Sequence, residues 1–432
     1  MSLGASEPTA RPTRVRYGVL GLTLALTAVA YLDRVCIATA APVMKTDLGL
    51  SDAQMGYVFS AFTLAYALFE VPSGWLADRF GPRLMLTRIV VWWSALTAAT
   101  GTVGGFGSLV AVRFLFGAGE AGTFPSLARA YARWLPSSER GRAFGLAVMA
   151  GALGGAATQP LVVVLLERIQ WRLSFAVFGV VGFAWAVVWF WWFRDDPHHH
   201  DAVNVAELAH IGCPPPIAHT AVPWRHVVHS RTLLMVCLMY GGAIYGWYFY
   251  ITWLPTYLLR ARGFDLTQVG WLAALPLLSI AAGVLAGGWI SDVLVRRWGG
   301  RAGRRTPGMV GLPLAAAAVL QALVTPNAML SALLLGLAAG LAALAVAPAW
   351  AVCLDIGGHH AGVVTGTMNT FGNLGGALSP IVVGVSLQHW NSWNAPLVSV
   401  AVLYVLAAGC WLGIDPTAVI PVPRVADRPE TI

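Results

Sequence analysis

Long apolar runs separated by short polar stretches recur along the whole chain. The runs are continuous rather than alternating, so they predict helices and not strands. Twelve are read, at 17–41, 53–77, 84–104, 107–128, 143–166, 173–193, 232–259, 267–294, 307–325, 328–353, 362–387 and 394–414. Most approach or exceed the about 20 residues a helix needs to cross a bilayer. The pattern predicts an all-α membrane protein with twelve transmembrane helices. One long polar segment, 194–231, divides it into a six-helix bundle at 1–193 and a second, with a short tail, at 232–432. The segment between is expected to be a cytoplasmic linker loop.

The halves resemble each other. "GWLADRFGPR" (74–83) ends the second span and "GWISDVLVRR" (288–297) ends the eighth; "GALGGA" (151–156) lies in the fifth and "GNLGGA" (372–377) in the eleventh. Matching segments in the same order indicate a parallel internal repeat, with a binding site expected between the halves near the midplane. The GxxxG at 151–155 suits close helix contact.

Composition agrees with the pattern. Of 432 residues, 57% are hydrophobic and 11% charged, against about 25% charged in soluble domains. The net charge of +8 does not read as a nucleic-acid footprint, because it follows the loops. One side of the expected topology holds 20 of the 27 Lys and Arg, the other five, and Arg34 and Arg113 are intramembrane. The positive-inside rule makes the rich side, with both termini, cytoplasmic. The expected location is a bacterial-type inner membrane. "RVR", the first apolar run and "ATA" at 38–40 superficially resemble a signal peptide, but the run is too long and Asp33-Arg34 interrupts it. Cys36, Cys213, Cys237, Cys353 and Cys410 show no metal-ligand spacing. The histidines at 198–200, with His210, read as linker polarity rather than a metal site, and no metal or other cofactor is expected.

The chemistry lies in charges within the apolar runs. Ionisable residues inside a membrane mark function by default. Asp33 and Arg34 sit in the first span, about 100° apart around the helix, so one can face a cavity while the other faces a neighbouring helix. Arg113 and Glu120, seven residues apart in the fourth span, share one face about 10 Å apart along the axis. Two acids and two arginines can neutralise one another. A buried ionic lock would serve stability poorly, because desolvation offsets the Coulomb gain. Charge balance gives the alternative. A proton on Asp33 or Glu120 frees an arginine, whose planar fork takes a carboxylate. The second half offers neutral groups instead, namely Tyr245, Tyr248, Trp253, Trp350, Asn369 and Asn373, which suit a hydroxylated substrate.

"GWLADRFGPR" resembles the signature loop of the major facilitator superfamily. "YLDR" (31–34), "RFLFGAGEAGTFP" (113–125), "YFYITWLPTYL" (248–258) and "TGTMNTFGNLGGALSP" (365–380) resemble its anion:cation symporter family, which includes galactonate, glucarate and hexuronate transporters. The resemblance implies proton-coupled uptake of an organic acid anion, with a sugar acid expected. It implies Arg34 as carboxylate ligand, Asp33 and Glu120 as protonation sites, Arg113 as their partner, and Tyr66, Trp350 and Asn369 as ligand contacts. Tyr31 and Asn373 join them as candidates. It also implies a cytoplasmic gate of Gly74, Asp78, Arg79, Gly81 and Arg83, with Asp292, Arg296 and Arg297 as counterpart. Glu70 departs from the family pattern, where a neutral residue, often Gln, is usual. A hydrogen-bonded or solvated carboxyl is expected there, in preference to the alternative of a second titrating group that takes part in coupling. A monomer is expected from the fold.

The alternative is a proton-driven exporter of the same fold. "GALGGAATQP" (151–160) lacks the Gly-Pro pair frequent in exporters, which disfavours it. No nucleophile constellation, metal cluster or Walker sequence GxxxxGK[ST] supports an enzyme or ATP-driven transport.

Overall fold

The computed structural model describes residues 11–212, 227, 229–358 and 361–418; the side chains of Val71, Asp78, Ser137 and Ser138 lie outside that description, as does Cys213. The described chain is helical throughout, without a strand. Its helices are α1 Val15–Asp47, α2 Asp52–Thr100, α3 Phe106–Glu120, α4 Thr123–Trp134, α5 Ser137–Arg168, α6 Trp171–Trp192, α7 Val205–Ile211, α8 Arg231–Thr252, α9 Leu254–Ala261, α10 Leu266–Val324, α11 Ala328–Ala343, α12 Val346–Gly357, α13 Ala361–Trp390 and α14 Asn394–Cys410.

Eight helical stretches among the described residues are long and apolar enough to cross a membrane. Two helices, α2 and α10, are longer than one crossing needs. The 49 residues of α2 and 59 of α10 would run about 74 and 88 Å if straight, against a hydrocarbon core of about 30 Å. Each breaks at a glycine with positive φ, Gly81 at 77° and Gly299 at 82°. A Cβ is costly in that backbone region. The chain folds back at Gly299, since Arg304 bonds Ser291 and Asp292, which a straight helix would hold about 18 Å away. Conversely, the apolar run expected as one fourth span breaks between α3 and α4. Ala121 takes ψ 117° and Gly122 φ 112°, and a Cβ on Gly122 would strike Ser73 of α2.

The segment expected as a loop is structured where described. Glu207 of α7 is fully buried. It accepts from the Arg16 backbone N–H (3.1 Å), the Arg16 guanidinium (3.2 Å) and the Thr13 hydroxyl (2.8 Å). Burial opposes ionisation of Glu207, but these donors win and hold its carboxyl below the usual range. His200 meets the rings of Trp134 and Trp192 edge-on, and Asp196 accepts from His198. Residues 196–207 of the linker are thus packed on the first bundle, while Val227 is buried in the cluster that holds Leu233 and Val236 of α8.

The apolar core shows where the bundles meet. One cluster joins Met44, Leu50, Met55 and Phe59 of the first bundle to Trp253 and Val383 of the second. These lie at the end of the molecule away from Val15, the start of α1, and Arg231, the start of α8. The cluster nearer that start, with Trp93, Trp134, Trp189 and Phe193, holds first-bundle residues alone. Polar contacts repeat this asymmetry. Gln388 receives the Ala53 N–H, Asp52 pairs with Arg260 (2.9 Å), and Ser60 donates to the Ala377 carbonyl (2.6 Å). The bundles therefore close on each other at the far end.

Candidate functional site

Asp33 and Arg34 stand near the middle of α1 and Glu120 at the end of α3, at the seam between the bundles. Arg34 of α1 pairs with Glu120 of α3 at 2.5 Å. Its guanidinium also lies over the rings of Tyr31 (5.2 Å), Phe62 (4.9 Å) and Tyr66 (5.1 Å). Cation–π contact adds stabilisation where water is excluded. Tyr31 rests against Gly151 and Gly155 of α5, and Gly154 lets the α1 backbone approach at Ala28. The GxxxG element thus seats the helix that carries Arg34.

Asp33 faces elsewhere, as its rotation from Arg34 requires. It is 1% exposed, and neither carboxyl oxygen is in hydrogen-bond geometry. Trp93 and Thr97, on the second leg of α2, and Arg113 are its neighbours. Glu120 is equally buried and uses one oxygen only; its Oε2 has no partner. Because α3 ends at Glu120, the helix break presents this carboxyl to the seam, and the Thr123 hydroxyl caps its carbonyl.

Arg113 lies in the electrostatic reach of both Asp33 and Glu120 but pairs in contact with neither. Arg113 makes no ion pair among the described residues and lies over Phe62 (5.1 Å) and Phe116 (4.7 Å). Two helical turns separate it from Glu120, too far for direct contact.

From the second bundle, Asn369 of α13 donates to Glu70 of α2 at 2.6 Å. Glu70 is 9% exposed, and its Oε2 has no partner. It is hydrogen-bonded, as expected, but to the opposite bundle. Trp350 donates to the Tyr240 hydroxyl at 3.2 Å. Asn373 and Tyr248 are buried; Tyr248 lies in the electrostatic reach of Arg34. Two expected polar aromatics turn away. Tyr245 bonds Ser399, and Trp253 donates to the Pro380 carbonyl between Phe59 and Trp393. A small apolar cavity inside the second bundle, lined by Trp247, Tyr250, Val346 and Tyr404 among others, includes none of the charged residues.

The sequence reading passed over Phe62, although Phe62, Tyr66 and Glu70 are spaced by four and share one helix face. That spacing is the signal that would have found it.

At the expected gate, Gly81 makes the turn and Gly74 packs near Pro125. The Arg83 N–H bonds Asp195, and its guanidinium bonds the Phe190 carbonyl. Arg79 is exposed beside Trp75 and Phe80; the Asp78 side chain lies outside the described residues. The counterpart is corrected. Asp292 pairs not with Arg296 or Arg297 but with Arg304 (2.9 Å), which also meets Asp355 (3.2 Å). The turn at Gly299 returns Arg304 to Asp292, while Arg296 and Arg297 are exposed.

Residues 23–380 match the model of the Major Facilitator Superfamily. A probable sulfoacetate transporter of Cupriavidus necator is 36% identical over 417 residues, 95% of this chain and 96% of the relative. A probable galactarate/D-glucarate transporter of Bacillus subtilis is 33% identical over 91% of this chain and 90% of the relative. A D-galactonate transporter of Escherichia coli is 31% identical over 88% and 91%. Among solved structures, a bacterial homologue of the human lysosomal transporter Spinster, in an inward-facing, unoccupied conformation, superposes with a TM-score of 0.72 at 20% identity. It covers 95% of each chain and shows the same fold. The chain is therefore a transporter rather than an enzyme, and it belongs to the major facilitator superfamily, among the anion:cation symporters.

Proposed function

We propose that this protein imports an organic acid anion together with protons. The observation that carries the reading is the buried Arg34–Glu120 pair beside Tyr31 and Tyr66. Arginine stays charged and suits a carboxylate. Protonation of Glu120 removes its charge and releases Arg34 to the acid. Loss of the acid restores the pair and expels the proton. Asp33, buried without a hydrogen bond, is the second protonation site. Asn369, Asn373 and Trp350 supply hydroxyl and C–H contacts from the second bundle.

The relatives narrow the cargo to small organic acids. A sugar acid such as a hexonate, hexarate or hexuronate fits one arginine and several neutral polar groups. The positive-inside rule places both termini in the cytoplasm of a bacterial-type inner membrane. Closure at the far end then makes this the cytoplasm-facing form of an alternating-access cycle with twelve passes. The working unit is a monomer.

Replacing Glu120 by Gln keeps its shape and removes its proton chemistry. E120Q in proteoliposomes should exchange the acid across the membrane but lose accumulation driven by an inward proton gradient. Accumulation equal to the parent protein would contradict the assignment.

A further inference from the structure

We propose that Glu70 is a third proton-carrying carboxyl of the central site, so that the acid enters with one more proton than it would with glutamine at this position. This rests on the proton-coupled reading above. Geometry carries it. Glu70 lies one turn from Tyr66 on the helix face that bears Phe62. It reaches across the seam to the Asn369 amide. Its other oxygen is buried and unpartnered. Among the described residues the charge that acts on it is Arg34 of α1, which already pairs with Glu120. Its other titratable neighbours are Tyr66 of its own helix and Tyr240 of α8. An ionised carboxylate with one amide donor and no cation of its own is costly to bury. As the acid, Glu70 accepts from Asn369 at Oε1 and has an O–H at Oε2 to donate.

Charge counting agrees. With Glu70 the buried set is Asp33, Glu70 and Glu120 against Arg34 and Arg113. Fully ionised, it carries one net negative charge and repels an anion. A proton on Glu70 restores balance before the acid binds, and a second, on Glu120 or Asp33, frees the arginine. If the substrate engages the Asn369 amide, it competes with Glu70 for that donor. Substrate exit and proton release at the open end then belong to one step.

Two measurements test this. The first needs no substrate: infrared difference spectra of the lipid-reconstituted protein between acid and alkaline pH. The parent should show a carboxylic C=O band that E70Q lacks and E120Q retains; an unchanged band in E70Q overturns the proposal. The second is limiting accumulation of sulfoacetate, galactarate, D-glucarate or galactonate at clamped zero membrane potential. One coupled proton changes it about tenfold per pH unit, so E70Q should accumulate about tenfold less at a gradient of one unit. Equal accumulation overturns the proposal. If none of these acids enters the parent protein, the organic-acid reading fails, and the infrared band still decides whether Glu70 holds a proton.

Discussion

Both central guanidiniums lie over the ring of Phe62. Arg34 has a carboxylate as well, whereas Arg113 makes no ion pair among the described residues and lies over Phe62 and Phe116. Each desolvated cation–π contact contributes about 1–2 kcal/mol. F62L should therefore weaken the hold on both arginines, raising KM for the transported acid about tenfold. F62Y, which keeps the ring, should change KM little. Equal KM values for all three proteins would remove Phe62 from the site. Asp33, Arg34 and Glu120 were legible in the sequence because charge inside an apolar run is conspicuous. Phe62 was less conspicuous, since its only signal is the spacing of four that sets it on the helix face of Tyr66 and Glu70. The partner of Glu70 was hidden for a different reason. Asn369 lies 299 residues away, and only the docking of the two bundles brings them together.

The helices expected from the apolar runs stand nearly where the pattern put them, but their ends follow rules that hydropathy does not carry. Gly81 and Gly299 bend two long helices because each holds a positive φ. G81A should lower thermal stability by about 1–2 kcal/mol, the cost of a Cβ in the left-handed region. A melting temperature equal to the parent's would show that the turn relaxes freely. The break after Glu120 and the packing of α7 were likewise invisible to the pattern. The α7 contact has a pH signature. The carboxyl of Glu207 is held below its usual range, so the stability it gives is present above the unfolded value of about 4.3 and is lost as pH falls through the lower folded value. The protection of the Val205–Ile211 amides, relative to their intrinsic exchange at each pH, should fall below about pH 4 and stay constant from pH 6 to 8. Loss of protection toward alkaline pH would have the wrong sign.

Across the whole molecule the two bundles touch through the far end, at Ser60 with Ala377 and at Asp52 with Arg260, and through Glu70 with Asn369 near the centre. Alternating access requires the far-end contacts to open. A disulfide across S60C and A377C should stop net uptake, and reduction should restore it. Undiminished uptake in the cross-linked protein would mean that this end does not open. The repeat was legible from "GWLADRFGPR" and "GWISDVLVRR", yet the halves are unequal in chemistry. The first carries the buried charges of the centre and the second supplies neutral donors and rings. That division suits an anion held by arginine on one side and by its hydroxyls on the other.

The central claim is tested most directly by uptake into proteoliposomes under an inward proton gradient, across a panel of sugar acids, sulfoacetate and aromatic acids. The account predicts that at least one acid accumulates above its external concentration and that a protonophore abolishes the accumulation. Entry of no acid, with proton-driven efflux of preloaded cationic or neutral compounds, would contradict it.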